Sequence, residues 1–240
     1  LYENRGLYRR AVNREDLVFF SVSHKETEVY IGALQDLSRE ALSCICGLRE
    51  ALDSYIATDE RFLKSLVPIE ARWNAPRIAR DMCRAAALAG VGPMASVAGA
   101  FSQYIGRELL KKSPEIIVEN GGDIFLATEK ERTIAIYAGS SPLSMKLGVK
   151  IKPTGGMGVC TSSGTIGHSL SFGKADAALI LSPDALIADA AATTLGNAVK
   201  SPKDIGSALE AAFAISGVSG ALAIMGGSMG AIGEIELTEL

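Results

Sequence analysis

Two stretches of this 240-residue chain, Ala85 to Gly106 and Ala211 to Gly233, contain no charged residue. On count alone either could cross a bilayer. Both, however, are built mainly from Ala, Gly and Ser rather than Leu, Ile and Phe, and both contain clustered glycines. Small side chains let backbones approach closely. Buried helices and strands of a soluble domain therefore explain these stretches better than membrane spans. The overall proportions agree: 48% hydrophobic and 21% charged residues are those of a globular protein, not a disordered one. A net charge of −3 and 6% aromatics argue against a nucleic-acid surface, which needs excess basic charge and stacking platforms. The four cysteines, Cys44, Cys46, Cys83 and Cys160, form no disulfide framework in a chain this long. They read mostly as small buried apolar residues in a reducing compartment, so a cytoplasmic location is expected. No signal-peptide pattern follows Leu1, and a targeting segment further upstream is left open.

No Pro/Ser-rich linker and no repeat of fixed period divides the chain, so we expect one continuous domain over residues 1–240. Leu17–Val22 and Glu28–Ile31 read as strands around Ser23-His24-Lys25. Leu42, Ile45, Cys46, Leu52, Tyr55 and Ile56 fall at helical spacing between Asp36 and Ile56. A short helix is expected from Thr58. Another is opened by Pro76 and must break at Gly90-Val91-Gly92-Pro93, and a further apolar helix runs from Met94 toward Leu110. Strands follow at Ile116–Val118, Ile124–Ala127, Thr133–Tyr137 and Leu147–Ile151. Ser182-Pro183-Asp184 and Ser201-Pro202-Lys203-Asp204 carry helix-start signals, the second with the spacing of a capping box. Ala221–Met225 and Ile232–Leu237 read as a terminal hairpin that could pair across a homo-oligomer interface. Strands in runs, alternating with long helices, indicate an α+β protein with antiparallel sheets. Trp73, between Arg72 and Arg77, reads as a packing anchor, and His24 as a turn residue.

Three stretches could carry chemistry. In the first, Asn120-Gly121-Gly122-Asp123 joins two apolar runs. Asn-Gly there is a strong hairpin signal, and the glycines would also let a ligand come close to the backbone, with Asp123 free to meet a hydroxyl or cation. The second, Thr154 to Ser169, is rich in Gly, Ser and Thr. It reads as a polar loop whose N–H groups and hydroxyls, at Thr161, Ser162, Ser163 and Gly164, could cradle phosphate oxygens. It lacks the Gly-Lys-[Ser/Thr] of a Walker loop and the flanking glycines of a nucleophile elbow. His168, one of only two histidines, is its candidate catalytic residue, as a base or as a hydrogen-bond donor. The third is Ala188-Asp189-Ala190-Ala191-Ala192-Thr193-Thr194. Asp189 and Thr193 are four apart and share a helix face, and a carboxylate and a hydroxyl there suit a hard cation such as Mg²⁺. The plainer reading is an Asp on a solvated face with a back-bonded Thr.

Taken in order, these stretches resemble the ApbE family, the FAD:protein FMN transferases. Ala95-Ser96-Val97-Ala98-Gly99-Ala100-Phe101 is similar to that family's Gly-Gly-Ile-Ala-Lys-Gly-Tyr. Asn120-Gly121-Gly122-Asp123-Ile124 is similar to its hairpin, and Thr161-Ser162-Ser163-Gly164 followed by His168 to its Thr-Ser-Gly loop and histidine. Asp189-Ala190-Ala191-Ala192-Thr193 is similar to its metal motif. The resemblance spans Met94 to Val199. It is closer still to a shorter, uncharacterised family related to ApbE, which carries Gly92-Pro93-Met94-Ala95, Gly167-His168-Ser169 and Ala188-Asp189-Ala190 nearly as they stand here.

The resemblance implies an ApbE-like fold and a site for FAD or FMN. It implies a pyrophosphate held by Mg²⁺ between Asp189, Thr193 and a backbone carbonyl near Ala98. It also implies transfer to a protein hydroxyl with release of AMP. The sequence departs from the ApbE pattern in three places. Gly99 stands for the family's Lys and Tyr104 for its downstream Asp, and no Asp-Pro-x-Thr-Gly loop follows His168. These departures weigh against the transfer reaction more than against the pocket. They leave room for a flavin-binding or redox-assembly module without catalysis.

Overall fold

The computed structural model describes residues 16–164 and 173–240. Eleven strands form two sheets among these residues. The larger has the order β1 (Val18–His24), β2 (Thr27–Ala33), β3 (Ile116–Asn120), β4 (Asp123–Thr128), β7 (Thr154–Ser162), β8 (Ala177–Ser182), β9 (Gly220–Met225), β10 (Ser228–Gly233), with every neighbouring pair antiparallel. The smaller has the order β11 (Leu237–Glu239), β6 (Leu147–Ile151), β5 (Arg132–Ala135). The helices are α1 (Ser38–Thr58), α2 (Glu60–Lys64), α3 (Arg77–Ala89), α4 (Val97–Leu109), α5 (Ala185–Ala198) and α6 (Ile205–Phe213). Short 3₁₀ turns at Pro93–Ser96 and Pro202–Asp204 lead into α4 and α6. The α+β class with antiparallel sheets and long helices stands.

The side-chain alternation of the strands sorts the core into layers. Along β8, Ala178 and Ile180 point to the helices, while Ala177, Leu179 and Leu181 point to the other face. That other face meets Ile134, Ile136, Val149 and Ile151 from the region of the smaller sheet. Helices, large sheet and small sheet thus stack as three layers. Under α5 the sheet presents Ala178, Ala221 and Ala223 against Ala188, Ala191 and Ala192, so helix and sheet approach closely.

No single helix among the described residues is long and apolar enough to cross a membrane. The Ala85–Gly106 stretch is split between α3 and the Pro93–Leu109 segment, which bend by 100°. Gly90 takes φ +73 at the break, and Ala85, Ala86, Ala100, Phe101 and Ile105 are buried in the core.

Several expectations change. Thr154–Ser162 is not a loop but a strand between β4 and β8, and β8 itself carries no local signal beyond a short apolar run. The terminal hairpin turns at Gly226-Gly227, so its second arm is Ser228–Gly233; Leu237–Glu239 joins the smaller sheet instead. The helix expected at Ser182-Pro183 starts at Ala185, capped by Asp184, whose carboxylate accepts the Leu186 N–H. The Ser201/Asp204 capping box forms as its spacing predicts. Trp73 is no anchor: it lies in a turn, 94% exposed. His24 is the last residue of β1, paired with Thr27 across the Lys25-Glu26 turn. Cys83 and Cys160 are buried, whereas Cys44 and Cys46 are only partly so.

Candidate functional site

The site lies where the β3–β4 turn, the far end of β7, the start of α4 and the middle of α5 converge. The turn comes first, because its sequence dictates it. Gly121 and Gly122 take φ +68 and +107, conformations that glycine adopts without strain, and Asn120 pairs with Asp123 across them. Glu119 fixes the tip by accepting the Gly122 N–H at 2.9 Å. The turn is also tied to α4. Asn120 Nδ2 donates to the Ala98 carbonyl at 3.3 Å. The Ser102 hydroxyl lies 3.0 Å from the same carbonyl and 2.9 Å from that of Asp123.

Two glycines seat α5. A Cβ on Gly99 would stand 2.2 Å from the Ala185 carbonyl oxygen, and one on Gly158 would stand 2.5 Å from the Ala185 Cα. The first turn of α5 is therefore flush against both α4 and β7. Gln103 completes the seat by accepting the Ala185 N–H at 2.7 Å. So held, α5 carries Asp189 over the start of α4, where Asp189 Oδ2 accepts the Gly99 N–H at 2.8 Å. Asp123 reaches the neighbouring strand, its Oδ1 accepting the Thr161 N–H at 3.3 Å. Cys160, fully buried, lies opposite Asp123 with its Sγ 3.5 Å from the Ala185 carbonyl oxygen.

The electrostatics follow from this geometry. Asp123 and Asp189 are both half-buried and lie close enough for their charges to act on one another. Burial pushes Asp189 up to about 7, against the pull of the Gly99 and Ala98 backbone N–H groups. Burial and the nearby Asp189 charge push Asp123 well above the usual carboxylate range. Burial, then these two carboxylates, raises the Cys160 thiol, so it is no poised nucleophile. Neither Asp123 nor Asp189 has an ion-pair partner among the described residues.

The structure thus gathers most of the residues singled out by sequence. Asn120, Gly121, Gly122 and Asp123 abut Ala98, Asp189 and Thr161. Thr193 sits one turn beyond Asp189 on α5 and is half-buried. Ser162 ends β7 beside Gly196 of α5, its Oγ 3.3 Å from where a Cβ on that glycine would lie. Gly164 donates its N–H to the Ala175 carbonyl at 2.9 Å and packs against Gly173. Ser163 precedes it, half-buried. His168 lies outside the described residues. The plainer reading of Asp189 as a solvated helix residue fails, because the residue faces α4 and the turn. It is Thr194, not Thr193, that back-bonds, its Oγ1 lying 2.7 Å from the Ala89 carbonyl and 3.2 Å from that of Ala190. Sequence reasoning missed Ser102, Gln103 and Glu119. Ser102 had one usable signal, its position four residues after Ala98 on the same helix face.

A cation here would draw on oxygens: the neighbouring Asp189 and Asp123 carboxylates, with Thr193 one turn along α5 and the Ala98 carbonyl, which already accepts from Asn120. Such a set suits a hard divalent ion. Among the described residues no three His, Cys, Asp or Glu side chains gather into a metal-holding cluster. A cation here would therefore depend on backbone, hydroxyl and ligand oxygens as well. Two half-buried carboxylates with no ion-pair partner among the described residues fit that role.

Residues 9–230 match the family described as "AbpE bacteria". A UPF0280 protein of Methanococcus aeolicus is 47% identical over 193 residues, covering 78% of each chain. Another, from Methanothrix thermoacetophila, is 41% identical over 218 residues, covering 88% of this chain and 90% of the relative. This chain belongs to the UPF0280 family, an ApbE-related family. Its fold is similar to that of the flavinyl transferase ApbE of Pseudomonas stutzeri in the apo form, with a TM-score of 0.60 and 13% identity over 93% of this chain and 94% of that one. The flavin transferase ApbE of Vibrio cholerae gives a TM-score of 0.59 and 13% identity over 91% and 97%. The ApbE-like fold expected of the sequence is thus the fold observed.

Proposed function

We propose that this UPF0280 protein binds a flavin nucleotide, with its pyrophosphate and a divalent cation at the Asp123–Asp189 site. The observation that carries the proposal is the meeting of two half-buried carboxylates from β4 and α5 with no cationic side chain paired to them among the described residues. Asp189, Thr193 and the Ala98 carbonyl would hold the ion, and the ApbE flavin transferases of the same fold point to the flavin. A divalent ion held there would neutralise pyrophosphate charge and polarise its phosphorus–oxygen bonds.

The chain's own residues do the rest. Asn120 ties the β3–β4 turn to the Ala98 carbonyl at the start of α4. Gly121 and Gly122 leave the turn bare for close approach of the ligand. The Thr161, Ser162 and Ser163 hydroxyls and the Gly164 backbone offer hydrogen bonds to phosphate oxygens. His168, four residues beyond Gly164, is the candidate to hold or move a proton there. The chemistry such a site supports is cleavage of a flavin-dinucleotide pyrophosphate or transfer of its flavin half.

One observation favours a second reading, flavin binding without transfer. The position of the ApbE lysine is Gly99, and its contact with Ala185 leaves no room for a side chain. Tyr104, at the position of the downstream ApbE Asp, is likewise engaged elsewhere, its hydroxyl 2.7 Å from Asp81 Oδ2.

The deciding experiment is FAD binding by fluorescence with and without Mg²⁺, on wild type and Asp189→Ala, followed by assay for released AMP. Mg²⁺-dependent binding that the variant loses supports the site, and AMP release selects the enzyme over the carrier. Absence of FAD binding in every condition overturns the flavin assignment.

A further inference from the structure

Where Asp189 stands depends on how α5 lies along α4. The glycine contacts at Ala185 set how close the two helices come, but close contact alone does not stop one from sliding or turning against the other. Hydrogen bonds do that, because they are directional. Two sets of them join the helices. In the first, Asp189 Oδ2 accepts the Gly99 N–H at 2.8 Å. In the second, Gln103 Oε1 accepts the Ala185 N–H at 2.7 Å, and Gln103 Nε2 donates to Asp184 Oδ1 at 3.3 Å. Gln103 is about one turn beyond Gly99 on α4, and Ala185 is about one turn before Asp189 on α5. Two rungs spaced alike on both helices fix the register of α5.

The second rung calls for an amide. The Ala185 N–H opens α5 and has no acceptor within its own helix, so it needs an oxygen. Asp184 needs the opposite, a donor. Its Oδ1 also accepts the Leu186 N–H at 3.0 Å, and its Oδ2 accepts from Arg84 Nη2 of α3 at 2.7 Å. A carboxamide carries an acceptor and a donor on one planar group and no charge. A glutamate at 103 would set a second anion against Asp184, and an apolar side chain would leave the Ala185 N–H bare. Gln103 is 5% exposed, so water does not readily replace either bond.

We propose that Gln103 is a positioning residue for the cation site at Asp189, an inference that rests on the reading of that site given above. Its amide ties α4 to the first turn of α5 and so sets where the Asp189 carboxylate stands against the Gly99 N–H and the Ala98 carbonyl. Both ends of the amide are spent on the start of α5, so Gln103 acts through Asp189 and not on the ligand. A cation that draws on the Asp189 carboxylate competes with the Gly99 N–H for it. The second rung takes no part in that competition and keeps α5 in register whether the site is empty or filled.

The test compares the wild type with Gln103→Met, Gln103→Glu and the double variant Gln103→Glu/Asp184→Asn, each as the full chain. Two quantities are read: hydrogen exchange of the Gly99 amide in magnesium-free protein, and affinity for Mg²⁺ alone by titration calorimetry. Gly99 lies in the first turn of α4, so Asp189 is the acceptor that protects its amide. Gln103→Met keeps the bulk and loses both bonds. Gly99 exchange should quicken by about 10-fold relative to the amides of β3, and Mg²⁺ affinity should fall by about 10- to 100-fold. Gln103→Glu should lose as much, because two carboxylates then face each other. In the double variant the amide at 184 donates and the carboxylate at 103 accepts, while the amide oxygen at 184 still caps Leu186. Both quantities should return to within about 3-fold of the wild type. A residue that served stability alone would change the Gly99 and β3 amides together. A folded Gln103→Met or Gln103→Glu variant whose Gly99 amide exchanges as in the wild type overturns the proposal. So does a double variant no better than Gln103→Glu. Should Gln103→Met fail to fold, the other two variants decide. A wild type without affinity for Mg²⁺ overturns the cation reading instead, and the Gly99 amide still decides the role of Gln103.

Discussion

Two of the places where the molecule draws carboxylates out of water treat them in opposite ways. Beneath the junction of β3 and β5, Glu115 is met by Arg132 at 2.8 Å, and Arg132 also meets Asp16 at 2.8 Å. Arg132 is 2% exposed, and the Thr128 hydroxyl and Glu129 N–H also donate to Glu115. Burial works against the Glu115 anion, but these donors outweigh it and hold the group below the usual glutamate range. Hydrogen bonds from Arg132 and Lys130 hold Asp16 lower still. In the Asp123–Asp189 site burial has no such answer, and both groups are raised. A fold that supplies its own cation is using charge to join elements. A fold that withholds one leaves a place for an ion or a ligand to fill.

The largest effect is expected from breaking the first region. Arg132→Met leaves Glu115 buried without a cation and should cost about 3–5 kcal/mol, read as a lowered urea midpoint at unchanged slope. Adding Glu115→Gln should recover part of that loss, since the amide carbonyl can still accept the Glu129 N–H and no charge remains. A variant as stable as wild type would show that the network does not hold the sheets together.

Acid should break the same region next. Glu115 and Asp16 have folded values below their unfolded ones, so their contribution is present above about pH 4 and is lost as pH falls through the folded values. Asp59 behaves alike: the Arg61 guanidinium beside it holds it down to about 2. Stability measured from pH 5 to 2 should therefore fall steadily. In Arg132→Met the fall should be shallower, because Glu115 and Asp16 lose the partner that most favours their charged forms in the folded state.

How much of each region the sequence revealed follows from the range of the forces that make it. The β3–β4 turn was legible because Asn120-Gly121-Gly122-Asp123 sets its own backbone. The cap at Ser201 was legible for the same reason. β7 was not. Gly155, Gly156, Gly158 and the following Thr and Ser residues have loop composition. They form a strand because β4 and β8 flank them and because Gly158 must lie under Ala185. Trp73 misled in the other direction, as an aromatic with no local signal of exposure. The approach of Asp189 to Asp123 depends on the packing of α5 on α4 and β7, which no local pattern encodes. Only the order of the motifs, through their resemblance to ApbE, hinted that these residues meet.

The seat of α5 offers a smaller and sharper test of the second region. Gly99→Ala puts a methyl against the Ala185 carbonyl, and Ala185 is already pressed by Gly158 from the other side. The expected cost is about 1–3 kcal/mol. FAD affinity should fall as well, because Asp189 and the Gly99 N–H would move apart. Gly158→Ala should produce the same pair of losses from the sheet side. A Gly99→Ala variant with wild-type stability would mean that α5 can shift, and a lysine at this position would then be compatible with the fold.

The smallest change in stability, and the most informative, is expected from Asp189→Asn. The amide keeps the shape and can still accept the Gly99 N–H, while the uncompensated charge is gone. Magnesium-free protein should therefore change by less than about 1 kcal/mol, or gain stability. Its pH dependence should differ too. An acid raised in the folded state binds its proton more tightly there than in the unfolded chain. Metal-free wild type should thus lose stability as pH rises from about 4 toward 7, opposite in sign to the Arg132 network. Asp189→Asn should flatten that fall. Magnesium at about 100 times its dissociation constant should add about 2.7 kcal/mol to the wild type and nothing to the variant. If magnesium stabilises both alike, the ion binds elsewhere, and the two carboxylates would have to be explained by the flavin or by another cationic ligand.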